Sequence, residues 1–244
     1  MAREYELDDA ALQAALTFHA AGGFPICGVD EAGRGALAGP VVAAAVLFLG
    51  APLAGLADSK VLSKSRREAL FEELQDVAVI GVGIVLPGVI DSVNILQANF
   101  IAMQKAIGSV VEQHGSAVGM VLVDGNYLTD EIRGQCNGFG IAIGTVVKGD
   151  AKVAEISAAS IIAKVTRDRI MTSADAANPG YGFAINSGYP SPAHLASLKS
   201  LGACALHRKT FGPVADALRI AAELRASSVA TSLHYERFPV RRHP

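Results

Sequence analysis

Apolar runs broken by glycine, proline and charged punctuation set the elements of this chain. Ile26 to Val29 and Val41 to Leu49 are short apolar runs, the second rich in β-branched residues and bounded by Gly39-Pro40 and Gly50. They predict strands at about 26–31 and 41–49 joined by a glycine-rich turn. Residues 77–86 predict a third strand, ended by Pro87-Gly88, and the modest connections favour an antiparallel meander. Residues 118–123 form a wholly apolar run ending at Asp124, which suits a strand buried on both faces. Residues 139–147 predict a fifth strand, followed by Lys148-Gly149-Asp150.

The helical segments carry the longer period. Residues 8–21 are alanine-rich, with Asp8 or Asp9 as cap. Ser65 with Glu68 reads as a capping box for a helix to about 76. A long helix is expected over about 92–114, capped by Asp91 or Ser92, with Ile95, Leu96, Phe100, Met103 and Ile107 on one stripe. Residues 153–173 predict another, whose small residues Ser157, Ala158, Ala159 and Ser160 let its start pack tightly on a sheet. After Asn178-Pro179-Gly180 comes a glycine- and aromatic-rich loop, 180–190, then a short helix from Ser191-Pro192 to about 201 and a last one over about 213–226. The expected organisation is a helical extension at 1–22, an α/β domain at 23–178, a helical appendage at 179–226 and a loose, flexible tail at 227–244.

Composition narrows the class. The chain has 244 residues, 51% of them hydrophobic, enough for one large core or a domain with a small appendage. The net charge of −2 does not advertise nucleic-acid binding, so such a surface must be a local patch. Three widely spaced cysteines, Cys27, Cys136 and Cys204, argue for reduced thiols and a cytoplasmic home. Cys204-x-x-His207 resembles half of a zinc site, but no second pair completes it. The acidic N-terminus does not read as a signal peptide, and no apolar run reaches membrane-spanning length.

The candidate chemistry is acidic. Asp30 and Glu31 end the first strand, Asp124 ends the fourth, and Asp150 follows the fifth. Each has a plain reading: a solvated strand end, a turn at Asp124-Gly125-Asn126, a helix cap at Asp150. Gly33-x-Gly35 resembles the start of a dinucleotide fingerprint, but Gly39 falls one position late and a β-branched run follows where a helix should begin. If strands one, four and five are parallel neighbours, the four carboxylates converge beyond their carboxyl ends. Adjacent strand residues point to opposite faces, so Asp30 and Glu31 share a site only at the strand's end. Such a pair needs a cation, either Arg34 or a metal ion. Oxygen-only ligands suit magnesium or manganese and suit zinc poorly. Two such ions roughly 3.5–4 Å apart are a standard device for phosphodiester hydrolysis. Lys60, Arg66 and Arg67, and again Lys199, Arg208 and Lys209, offer phosphate contacts or simply solvated faces.

With these residues assembled, the sequence resembles the ribonuclease HII family, the bacterial type 2 ribonucleases H, from about residue 26 to 220. The likeness is carried by VDEAGRG at 29–35, DSKVLS at 58–63, VDGN at 123–126, VVKGD at 146–150, ISAASIIAKVTRDR at 156–169, SGYPSPAHL at 187–195 and HRKTFGPV at 207–214. It implies a ribonuclease H-like five-stranded mixed sheet in the order 3-2-1-4-5, flanked by helices and followed by a helical appendage. It implies cleavage of the RNA strand of RNA–DNA hybrids and of duplex DNA on the 5′ side of embedded ribonucleotides, leaving 3′-hydroxyl and 5′-phosphate ends. Asp30, Glu31, Asp124 and Asp150 would then hold two Mg2+ or Mn2+ ions. Gly33, Arg34 and Gly35, with Tyr189, would read the ribose 2′-hydroxyl, while Ser59, Lys60 and Lys148 would contact phosphate. Ala36 stands where the family often has proline, and Val61 where it often has a second lysine.

Two rivals differ in their needs. An integrase- or resolvase-like DNA nuclease of the same fold uses carboxylates but has no use for a ribose-reading tyrosine loop. A non-catalytic nucleic-acid binder has no use for four convergent acids, which repel phosphate unless metal is bound. The expected particle is a monomer acting on nucleic acid, away from membranes.

Overall fold

A computed structural model describes residues 5–56, 61–114 and 117–236. In chain order the elements are α1 (Asp9–Ala20), β1 (Ile26–Ala32), β2 (Val41–Phe48), α2 (Lys64–Val77), β3 (Ala78–Val85), α3 (Pro87–Val93) and α4 (Ile95–His114). Then come β4 (Met120–Asp124), α5 (Asp130–Gly138), β5 (Ala142–Val146), a 3-10 turn at Gly149–Ala151, α6 (Ala154–Ala177), α7 (Phe183–Asn186), α8 (Pro192–Leu201) and α9 (Gly212–Glu236).

The strands form one sheet in the order β3-β2-β1-β4-β5. β1 and β3 pair antiparallel with β2, while β4 pairs parallel with both β1 and β5. The meander and the crossovers are therefore both as the sequence predicts. Alternation along β1 and β2 divides the core. Cys27, Val29, Ala43 and Ala45 pack with α4 on one face, and Val42, Ala44 and Val46 pack with α2 and α6 on the other. Burying one large side chain of such a face, such as Ile107 or Ile161, is worth about 1.5–3 kcal/mol. Ala158, Ala159 and Ser160 are buried against the sheet, so α6 approaches closely.

α1 lies outside the family-like region yet is anchored. The Leu7 N–H donates to the Thr145 carbonyl at 3.0 Å and the Thr145 N–H to the Tyr5 carbonyl at 2.8 Å, so this segment covers the free edge of β5. Among the described residues no helix is long and apolar enough to cross a membrane.

Several boundaries differ from the sequence reading, each for a local reason. Ser63, not Ser65, caps α2, accepting from the Arg66 N–H. The expected 92–114 helix is two helices broken at Asn94, which sits at φ 69° and whose side chain accepts from the N–H groups of Leu96 and Gln97. Asp91 is drawn elsewhere, accepting from the N–H groups of Lys209 and Thr210 and so tying the C-terminal segment to the sheet domain. Leu96 falls off the buried stripe and is 41% exposed. Pro87-Gly88 starts α3 rather than merely ending a strand. α5, capped by Thr129, occupies a stretch assigned no element. The last helix continues to Glu236, ten residues beyond its expected end and into the segment read as a loose tail.

Candidate active site

β1 and β4 end side by side, and their last residues build the site. Val29 pairs with Val123 in parallel register, so Asp30 and Asp124 follow on neighbouring strands. Asp30 is only 4% exposed. Its carboxylate accepts from the Glu31 N–H at 2.7 Å and is hydrogen-bonded by Ser160 of α6. Asp124 accepts from the Gly149 N–H at 2.7 Å, which fixes the 3-10 turn carrying Asp150 beside the end of β4. Glu31 is half-buried and takes a 3.2 Å bond from Arg34, the neutralising cation its position calls for.

These groups face a common space. A cavity of about 450 Å³ is lined by Asp30, Glu31, Asp124, Ser160, Lys164 and Tyr189, together with the Gly33-Arg34-Gly35 turn. Sites 90 to 160 residues apart in sequence thus meet, and Tyr189 stands among the acids rather than inside the appendage. The Tyr189 ring has Arg167 5.1 Å and Lys164 5.6 Å from its centroid. Asp150 is buried but lines a neighbouring cavity of about 580 Å³ with Ser157, one turn before Ser160 on α6. Lys148 is exposed and held in the left-handed region at φ 56°. Ser59 and Lys60 lie outside the described residues.

Burial first, then Glu31 and Asp124, push the Asp30 carboxyl well above the usual carboxylate range. A buried acid repelled by two others is a site short of positive charge. Its oxygen-only donors fit a hard divalent cation and fit a soft one poorly. The side chains do not already form the cage, however. Among the described residues no three His, Cys, Asp or Glu groups are arranged to hold a metal ion. The Glu31 N–H, the Gly149 N–H and Arg34 occupy oxygens that an ion would take.

One expectation is corrected. Arg208, read as a phosphate contact, is fully buried. It donates to the carbonyls of Gly33, Arg34, Gly39 and Pro40 at 2.7, 2.9, 3.0 and 3.1 Å. The Cys204-x-x-His207 spacing, already set aside as a zinc site for want of a second pair, serves packing: the Cys204 Sγ lies 3.2 Å from His207 Nδ1 as a hydrogen-bonding neighbour.

Arg167, Ser160 and Lys164 lie in the ISAASIIAKVTRDR segment but are not among the site residues read from the sequence, where Ser160 counts only as a small packing residue. Arg167 is fully buried and donates to Pro40 O at 2.9 Å and Ala38 O at 3.0 Å. A Cβ on Gly33, whose φ is +96°, would lie 2.0 Å from Arg167 Nε, so the turn lies directly on this guanidinium.

Residues 27–214 match the family model described as Ribonuclease HII. The chain belongs to the ribonuclease HII family. It is a metal-dependent ribonuclease with the ribonuclease H-like fold. The ribonuclease HII of Polynucleobacter necessarius is 48% identical over 195 residues, 79% of this chain and 95% of that one. Among solved structures, the PCNA:RNase HII complex of Archaeoglobus fulgidus matches with TM-score 0.63 and 27% identity, over 78% of this chain and 96% of that chain. Ribonuclease H2 of Pyrococcus horikoshii matches with TM-score 0.60 and 28% identity, over 80% and 97%.

Proposed function

We propose that this protein hydrolyses the RNA strand of RNA–DNA hybrids and cuts duplex DNA on the 5′ side of embedded ribonucleotides, in the cytoplasm and as a monomer. The observation that carries this reading is the shared cavity: three carboxylates, a glycine turn and one tyrosine open onto the same space.

Asp30, Glu31, Asp124 and Asp150 would hold two Mg2+ or Mn2+ ions, which supply an activated water and charge for the leaving oxygen. The chain's own groups do the rest. The Glu31 amide and Ser160 aim the Asp30 carboxylate, and the Gly149 amide aims Asp124. The 2′-hydroxyl is the mark that separates a ribonucleotide from its DNA neighbours, and it both donates and accepts. The Gly33-Arg34-Gly35 backbone meets it, because glycine permits close approach, and the Tyr189 ring and phenol bear on the sugar. Lys148, Ser59 and Lys60 contact the phosphates on either side, and Arg34, half-exposed, exchanges Glu31 for phosphate when the acids take their ions.

The test is a duplex carrying one ribonucleotide, incubated with Mg2+, with Mn2+ and with chelator. One cut 5′ of the ribonucleotide is expected with either ion and none with chelator. Full cleavage in chelator after exhaustive dialysis, or cleavage of an all-DNA duplex at the same rate, would overturn the reading.

A further inference from the structure

Beneath the cavity lies a buried polar chain that the mechanism above does not use. His194, in the first turn of α8, is fully buried, and His207 is 1% exposed. Their Nε2 atoms are 3.1 Å apart. His194 Nδ1 lies 2.9 Å from the Tyr189 carbonyl, and His207 Nδ1 lies 3.0 Å from the Cys204 backbone nitrogen.

These three contacts admit one arrangement of protons. A carbonyl only accepts, so His194 Nδ1 carries the hydrogen. A backbone N–H only donates, so His207 Nδ1 carries the lone pair. With both rings neutral, His207 Nε2–H then donates to His194 Nε2. The order runs from the Cys204 amide through His207 and His194 to Tyr189. A second proton on either ring would set two N–H donors against each other. Aromatic edges close the pair off from water: Tyr181 stands 5.0 Å from His207 and Phe183 5.4 Å from His194. Burial, then His194, lowers His207 to about 4, which agrees with a neutral ring.

The carbonyl at the end of this chain needs holding. Ser187 and Gly188, just before Tyr189, sit at φ 48° and 77°, and for serine that conformation is strained. A Cβ on Gly188 would lie 2.4 Å from the Ala38 carbonyl oxygen, and the Gly188 carbonyl accepts from the Leu37 N–H at 2.8 Å. The tyrosine loop is thus pressed onto the glycine turn at one end. At the other, the Tyr189 carbonyl accepts from the Ser191 N–H and from His194. His207 is followed by Arg208, which grips the Gly33 and Arg34 carbonyls. Both halves of the ribose reader are anchored on neighbouring residues of one buried segment.

We propose that His194 and His207 are a proton-ordered pair that positions Tyr189 over the acid site, with His194 as the positioning residue and no contact of its own with substrate. The inference rests on the reading of Tyr189 as the ribose contact given above.

Asparagine and glutamine separate the two ends of the His194 ring. The amide nitrogen of asparagine stands as far along the side chain as Nδ1, and that of glutamine as far as Nε2. His194→Asn keeps a donor for Tyr189 and loses the link to His207; His194→Gln does the reverse. On a duplex with one embedded ribonucleotide, His194→Gln should lose about ten-fold in kcat, the worth of one hydrogen bond, with KM within about two-fold. His194→Asn should lose clearly less than His194→Gln, although both lower the melting temperature. Tyr189→Ala runs beside them. Loss in Tyr189→Ala without loss in His194→Gln overturns the pair's role and leaves the reading of Tyr189 standing. Wild-type cleavage by Tyr189→Ala removes that reading and the inference with it. Equal losses in the two His194 variants, tracking stability alone, also overturn the proposal. A measurement on wild type needs no variant to fold. Long-range proton–nitrogen NMR at neutral pH should find neutral His194 protonated on Nδ1 and neutral His207 protonated on Nε2. The opposite tautomers, or a charged ring, contradict the proposal.

Discussion

Two groups of buried charge lie within a few residues of each other, and they are opposites. At the ends of β1 and β4, Asp30 is buried beside Glu31 and Asp124, with like charges for neighbours. Beneath the Gly33-Arg34-Gly35 turn, Arg167 and Arg208 are buried with no carboxylate at ion-pair distance among the described residues. Burial and then Arg167 push Arg208 down to about 9, so it is still charged at neutral pH. The two guanidiniums make six contacts to the carbonyls of residues 33–40, and Arg167 Nη1 alone of their nitrogens is buried without a hydrogen-bond partner. The cations are held by carbonyls inside the chain; among the anions Glu31 is paired with Arg34, while Asp30 has Glu31 and Asp124 for its charged neighbours. Burial of charge by itself does not mark a binding site, but a buried charge crowded by like charges points to one.

The largest expected effect comes from removing an anion. Asp30→Asn and Asp124→Asn should lose cleavage by several orders of magnitude, because the amide keeps the shape and drops the charge that holds metal. The same Asp30→Asn change should raise the stability of the metal-free protein at neutral pH. A raised folded pKa means the native state binds more protons than the unfolded one, so the Asp30 contribution is present at acid pH and lost as pH rises through the folded value. Melting curves at pH 5 and pH 7.5 check this: the gain should be larger at the higher pH. Next comes a cation. Arg208→Met should cost about 3–4 kcal/mol of stability by denaturant titration, since four carbonyls lose a charged donor. Equal sensitivity of both regions to loss of charge would erase the contrast drawn between them. Tyr189→Phe should cost about 0.5–1.5 kcal/mol in kcat/KM on a single embedded ribonucleotide, the worth of one neutral hydrogen bond. Smallest is Asn94→Ala at the α3–α4 break. It removes a cap to two amides, worth about 1 kcal/mol of stability, and should leave cleavage rates unchanged.

The acid site was more legible in the sequence than its supports. Asp30, Glu31 and Asp124 stand out because a carboxylate closing an apolar strand is a local conflict, visible without coordinates. Arg208 was misread because a cation between His207 and Lys209 looks like a surface patch. Its burial depends on the pairing of residues 206–208 with 37–39, across about 170 positions. His194 was missed for the same reason: its partner His207 lies in another element, joined only by the fold. Among the elements, the strands were placed within a few residues because their apolar runs are dense and punctuated. The errors fell at helix ends. Asn94 divides α3 from α4 by a side-chain cap that periodicity does not register, and α5 has too few apolar positions to announce itself.

The contrast between cations held by internal carbonyls and acids crowded by like charge is tested most directly by melting the protein against increasing Mn2+ without nucleic acid. An ion that binds only the native state raises the melting temperature in proportion to the logarithm of its concentration above Kd. The wild type and Arg208→Met should both show that rise, from different starting points, and the Asp30→Asn/Asp124→Asn double variant should show little or none. The same rise in the double variant and in the wild type would place the metal elsewhere and contradict the account.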